Sequence, residues 1–112
     1  MGKRARRRGI STPEAENVTA EAEGHRFALR TVLTPKTRRE YAEIGGARED
    51  AWQRRVEFLF ERLVAGWEIE AVPVERKDLL GRLRFASPEE RRIIRDVLRA
   101  HLAEHFPDVE AP

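Results

Sequence analysis

The strongest apolar pattern in the chain lies between residues 52 and 67. Apolar side chains recur there at spacings of three and four residues, which places them along one stripe of a helix. The stripe consists of Trp52, Val56, Leu59, Phe60, Leu63, Val64 and Trp67. We therefore predict a helix over residues 48–65, which Gly66 ends. Phe58 lies off the stripe, so it belongs either to an enlarged core face or to a contact surface for a partner.

A second helix is predicted near the end of the sequence, where SPEE begins at Ser87. Serine can accept a hydrogen bond from an amide of the first turn, proline is tolerated in that turn, and a glutamate three residues later can return the bond. Pro107 is expected to end this helix. Its apolar stripe consists of Ile94, Val97, Leu98, His101, Leu102 and His105, and Phe106 extends it.

Two short strands are predicted from alternation. Phe27 and Leu29 fall on one side of an extended segment, and Trp67 and Ile69 alternate with glutamates in another. Pro73 follows the second segment and stops regular structure. The two segments could pair as a small ribbon.

Two further helices are short. Thr34 and Pro35 favour a helix start, and the glycines after residue 44 favour its end. Residues 77–85 contain enough leucines for one or two more turns. The predicted fold class is therefore mainly α, an all-α arrangement of three to four helices with a possible minor two-stranded β-ribbon.

Length and charge divide the chain into a tail and one domain. At 112 residues it can bury a single core. Residues 1–24 contain few large apolar side chains, so we expect a disordered tail there and a single helical domain over residues 25–112. The tail is basic and then acidic: residues 1–9 carry +5, residues 10–24 carry −4, and the whole chain carries +2. The basic residues are Lys3, Arg4, Arg6, Arg7 and Arg8.

The segment HLAEH at residues 101–105 is the strongest candidate for metal chemistry. It matches the spacing of inverted zinc proteases, and a helix would place His101 and His105 on one side. Such enzymes need a third ligand well downstream, and only seven residues follow His105. We expect a structural role for both histidines, no metal and no cofactor. Cysteine is absent from the sequence, and no serine, glycine-rich or paired-carboxylate motif indicates catalysis, so we do not expect an enzyme.

The basic residues of the tail suggest an alternative function in nucleic-acid binding. Five clustered cations could neutralise several phosphates without reading the base sequence. The near-neutral remainder of the chain and the acidic segment beside the cluster argue against this interpretation. No apolar run approaches the length of a membrane span, so we expect a cytoplasmic protein of a bacterial host cell that does not contact the membrane.

Three segments together resemble small tail-assembly proteins of long-tailed bacteriophages in their layout. They are RFALRTVLTPKTRREYAE, EDAWQRRVEFLFERLVAGWEIEAVPV and LLGRLRFASPEERRIIRDVLRAHLAEHFP. The resemblance implies a non-enzymatic chaperone that coats the helical tape-measure protein before the tail tube polymerises, often made together with a longer frameshifted form. A head-tail structural component is a related alternative.

A chaperone of this kind needs an apolar groove that can hold amphipathic helices. Phe58, Trp67 and Phe85 are the aromatic side chains that we predict to line such a groove. The same face could instead join two copies of the chain, since small domains often complete their cores by association.

Overall fold

The computed structural model describes residues 17–45 and 48–112, with the backbone alone for residues 48–50. In these residues a four-stranded antiparallel sheet packs one face against helices. The chain is therefore mixed α/β, and the prediction of a mainly α or all-α fold with a two-stranded ribbon was wrong.

The sheet has the strand order β1-β2-β3-β4. The strands are β1 (Val18–Ala22), β2 (His25–Leu29), β3 (Val64–Ile69) and β4 (Val72–Pro73). Glu23 and Gly24 join β1 to β2 with φ values of 50° and 87°, which a tight type I′ turn requires at both central positions. The predicted pairing of the two alternating segments is confirmed, since Phe27 of β2 lies opposite Trp67 of β3.

Strand β1 lies inside the segment that we expected to be a disordered tail. Its inward residues are Val18, Ala20 and Ala22, which are half-buried and pack against the edge of the core. The alternation is present in the sequence, but two of its three apolar positions are alanine, which carries little signal for a strand. Pairing with β2 and packing against the last helix supply the burial that local sequence does not show.

The helices begin and end close to the predicted positions. They are α1 (Pro35–Ala42), α2 (Arg48–Leu63), α3 (Leu79–Arg84) and α4 (Pro88–His105), with a 3₁₀ turn over Arg76–Asp78 before α3. The Ser87 hydroxyl accepts from the Glu90 amide at 3.1 Å and the Glu90 carboxylate accepts from the Ser87 amide at 3.0 Å, which completes the predicted capping box. Helix α2 ends at Leu63 because the chain passes directly into β3.

The core lies between the inner face of the sheet and helices α2 and α4. Trp67 is near its centre and is 2% exposed, with its ring centroid 5.6 Å from that of Phe27 and 5.7 Å from that of Phe60. The largest fully buried side chains are Trp67, Phe27, Phe60, Leu29, Leu59, Leu63, Ile94, Leu98 and Leu102. Across residues 17–45 and 48–112, the helices are all too short or too polar to cross a bilayer.

Residues that follow α4 fold back onto α1. The Tyr41 hydroxyl donates to the carbonyl oxygen of Glu110 at 2.5 Å, and Arg38 forms an ion pair with Asp108 at 2.6 Å. Burial raises the pKa of Tyr41 and outweighs the opposing effect of the nearby Arg55 guanidinium. These contacts hold the end of the chain against the domain.

Candidate functional site

A groove of about 470 Å³ lies between strand β1 and helix α4. All five residues of the strand line the groove, and the helix contributes one side between Arg92 and His105. The apolar floor consists of Val18, Ala20, Ala22, Leu29, Ile93, Val97 and Ala100. We call this feature the β1–α4 groove.

The groove is open because the side chains of β1 are short. Ala20 lies opposite Phe27 and Ala22 opposite His25 in the register of β1 and β2. The large β2 side chains are buried in the domain, whereas the two alanines leave space beneath α4. On the helix, Ala100 is exposed and adds a third short side chain to the same space.

One end of the groove is held by the guanidinium group of Arg92. It forms ion pairs with Glu23 at 2.9 Å and with Asp96 at 3.1 Å, and it also contacts Glu89. The hydrogen bonds that Arg92 donates to Glu89 and to Glu23 raise its pKa above the usual range, so this side chain stays charged. Because Glu23 belongs to the β1–β2 turn, Arg92 ties that turn to α4.

The other end of the groove contains the two histidines of HLAEH. Their ring centroids are 4.7 Å apart. Nε2 of His101 lies 2.8 Å from the carbonyl oxygen of Arg30, so Nε2 carries the proton and donates this bond. Burial lowers the pKa of His101; the bond to Arg30 opposes this shift and the neighbouring His105 adds to it. His105 is half-buried, with Nε2 4.0 Å from the Glu104 carboxylate.

In the part of the chain that the structure describes, no group of three or more His, Asp or Glu side chains is placed to hold a metal ion. The remaining histidine, His25, is buried at another position, where its Nδ1 accepts from Nε1 of Trp67 at 3.1 Å. The structure therefore brings His101 and His105 together without adding a third ligand.

The rim of the groove is acidic on both sides. Glu21 and Glu23 lie on the side of β1, and Asp96 and Glu104 lie on α4. Arg92 is the one lining residue with a permanent positive charge among those described, so the lining carries −3 with neutral histidines. The groove thus combines an apolar floor with a negative rim.

The three aromatic residues predicted to bind a partner lie in different environments, and none of them lines the β1–α4 groove. Trp67 is buried in the core, whereas Phe85 is 87% exposed after α3. Phe58 is half-buried, with its ring 6.1 Å from that of Tyr41 and the Arg62 guanidinium 4.7 Å from its centre. The five basic residues predicted as a nucleic-acid contact, at positions 3–8, lie outside the described residues.

Sequence reasoning missed the β1–α4 groove. Its signal is weak: an alternation of Val18, Ala20 and Ala22, and an alanine at position 100 on one side of a helix.

Comparisons of the chain with known protein families, curated proteins and solved structures find no match.

Proposed function

We propose that this chain is a non-enzymatic assembly protein that binds an amphipathic helical segment of a protein partner in the β1–α4 groove. The observation that carries the proposal is the open apolar floor between β1 and α4, which the side chains of residues 17–45 and 51–112 leave unfilled. Following the resemblance in layout, the partner that we propose is a helical tape-measure-like protein of a bacteriophage tail.

The dimensions of the groove suit a helical ligand. The stretch of α4 from Arg92 to His105 extends roughly 20 Å, which matches a ligand helix of about 14 residues. Short side chains at Ala20, Ala22 and Ala100 allow a second helix to approach closely. Binding by apolar side chains at helical spacing is a common mode of peptide recognition, and it tolerates many similar sequences.

Three polar groups of the described residues that could act in catalysis are used in structural contacts. Ser87 is the only serine in the described part of the chain, and its hydroxyl caps α4. Nδ1 of His25 accepts from Trp67, and Nε2 of His101 donates to Arg30. This arrangement supports a binding role in preference to acid-base or nucleophilic catalysis.

A pair of alanines on α4 provides a direct test. Ala100 and Ala103 are both exposed on the same helix, but only Ala100 lines the groove. The probe is a synthetic amphipathic helix of about 14 residues with one leucine stripe and equal numbers of lysine and glutamate. We expect Ala100→Arg to weaken binding to the full chain by at least tenfold and Ala103→Arg to change it less than twofold, measured by fluorescence anisotropy.

Equal binding by both variants would show that the peptide does not bind in the β1–α4 groove, provided that circular dichroism shows the same helix content in each. Absence of peptide binding to the unmodified chain would contradict the proposal as a whole.

A second candidate function is nucleic-acid binding, which the +5 charge of residues 1–9 favours. Replacing Lys3, Arg4, Arg6, Arg7 and Arg8 by glutamine in the full chain tests it. If nucleic acid is the ligand, gel-shift affinity for DNA or RNA falls with salt and is lost in this variant. Under the groove proposal, the same variant binds the helical peptide as the unmodified chain does.

A further inference from the structure

We infer that the β1–α4 groove selects a basic amphipathic helix, in which lysine or arginine flanks the apolar stripe on both sides. This inference rests on the proposed function and adds the charge of the partner to it. It follows from the position of the rim carboxylates relative to the floor.

Acidic side chains lie on both margins of the groove. On α4, Asp96 and Glu104 are eight residues apart, or about 12 Å along the helix axis. On the other margin, Glu21 and Glu23 belong to β1 and to its turn. A helix bound along the floor would therefore have carboxylates on both flanks at the end near the β1–β2 turn, and Glu104 on one flank at the end near the histidines.

Arg92, the one lining residue among those described with a permanent positive charge, does little to neutralise Glu104 at the end of the groove near the histidines. Arg92 is engaged with Glu23, Glu89 and Asp96, all close to the β1–β2 turn. Among the described residues, Glu104 pairs with His105, whose Nε2 lies 4.0 Å from the carboxylate. The exposed carboxylate of Glu104 is thus available to a cation of the ligand.

The magnitude of the preference is set by solvent exposure. The side chain of Glu104 is 77% exposed, so a single ion pair there changes affinity by less than about fivefold. Three of the four rim carboxylates already pair with arginines of the chain: Glu21 with Arg26 at 3.5 Å, Glu23 with Arg92 at 2.9 Å, and Asp96 with Arg92 at 3.1 Å and Arg95 at 3.7 Å. The preference therefore comes from Glu104 and from the net negative charge that these pairs leave at the rim. We therefore expect about a tenfold difference between ligands that differ only in flank charge, and we expect salt to reduce it.

The first test compares two peptides with the same leucine stripe, one flanked by lysine and the other by glutamate, on the full chain. At 50 mM NaCl the lysine peptide is expected to bind about tenfold more tightly than the glutamate peptide. At 500 mM NaCl the ratio is expected to fall below threefold. Equal affinities at low salt would overturn the inference.

A matched pair of charge reversals assigns the effect to the rim. Glu104→Lys changes a rim carboxylate, whereas Glu75→Lys changes a carboxylate that lies outside the groove lining and is 72% exposed with one ion pair, at 3.8 Å. We expect Glu104→Lys to weaken the lysine peptide threefold to tenfold and to strengthen the glutamate peptide. Equal effects of the two substitutions would show that the preference comes from overall charge, and would overturn the inference.

These outcomes separate the inference from the proposed function. If lysine and glutamate peptides bind equally and Ala100→Arg weakens both, the groove binds helices without charge selection and only the inference fails. If no peptide binds, the proposed function fails with it. If replacing the five basic residues of positions 3–8 by glutamine tightens lysine-peptide binding more than tenfold, the chain's own basic segment occupies the groove and the inferred partner is wrong.

Discussion

Trp67 is buried in the core, whereas Phe85 is almost fully exposed. Trp67 and Phe85 were both predicted to contact a partner, and both follow a helix. Trp67 lies on β3, where its ring packs against Phe27 and Phe60 and its Nε1 donates to His25. Phe85 lies in the connection to α4 with its ring almost fully exposed. Their contributions to stability should therefore differ strongly.

We expect Trp67→Ala to lower the free energy of unfolding by about 3–5 kcal/mol, because it removes a large buried ring and leaves a cavity. Phe85→Ala should change it by less than about 0.5 kcal/mol, because the exposed ring has little burial to lose. Urea unfolding followed by circular dichroism measures both changes. A loss of several kcal/mol in Phe85→Ala would contradict this description of the core.

His101 provides a prediction at the same scale for the effect of pH. Burial lowers its pKa below the ordinary value of 6.5, so the unfolded chain takes up a proton more readily than the folded one. The stability associated with the neutral ring is present above pH 6.5 and is lost as pH falls from 6.5 toward the lowered folded pKa. We expect His101→Gln, whose amide can still donate to the Arg30 carbonyl, to show a smaller loss of stability over this window.

Chemical unfolding at a series of pH values between 7.5 and 5 tests the His101 prediction. The matched variant is His105→Gln, which removes the neighbouring, half-buried ring. If His101→Gln loses as much stability as the unmodified chain between pH 6.5 and 5, the titration of another group governs this pH range.

At the scale of whole elements, the helix starts that could be predicted from the sequence are those with strong local capping signals. The capping box at Ser87 depends only on neighbouring residues, and α4 begins there as predicted. Thr34 likewise caps α1, with its hydroxyl 3.1 Å from the Thr37 amide. Such ends are readable because the hydrogen bonds that form them lie within four residues of one another.

We expect Ser87→Ala to lower the free energy of unfolding by about 1 kcal/mol, because the Glu90 amide loses its acceptor. Ser87→Asp should retain most of that stability, since aspartate also caps helices and favours the positive end of the helix dipole. Thermal or urea unfolding compares the two variants. Equal losses would mean that the Ser87 side chain contributes through something other than capping.

The local sequence of strand β1 is insufficient to predict that this segment forms a strand. Its pairing with β2 is set by a two-residue turn, and its burial comes from α4, about 70 residues away along the chain. Neither contact leaves a strong mark on a segment whose inward residues are Val18, Ala20 and Ala22. The predicted fold class was wrong because the sheet is completed by two strands with weak local signals, β1 and β4, and β4 has only two residues.

At the scale of the whole molecule, the candidate site forms because distant segments of the chain meet in the tertiary fold. The chain carries +2 in total, yet the lining of the β1–α4 groove carries −3, because residues from β1 and α4 meet there. The histidine pair at its end was predictable from helical spacing. The floor and the rim were not, since they join residues 18–23 to residues 92–105 through the tertiary fold.

The short side chains of the groove floor place stability and binding in opposition. Filling the space from within, as in Ala100→Leu, should bury new apolar surface against β1 and raise the melting temperature by a few degrees. The same substitution should reduce affinity for the helical peptides by at least tenfold, while Ala103→Leu should do neither. Calorimetry measures the melting temperature of the two variants, and fluorescence anisotropy measures their affinity for the peptides. A variant selected for heat resistance alone would thus be expected to close the groove and lose its ligand.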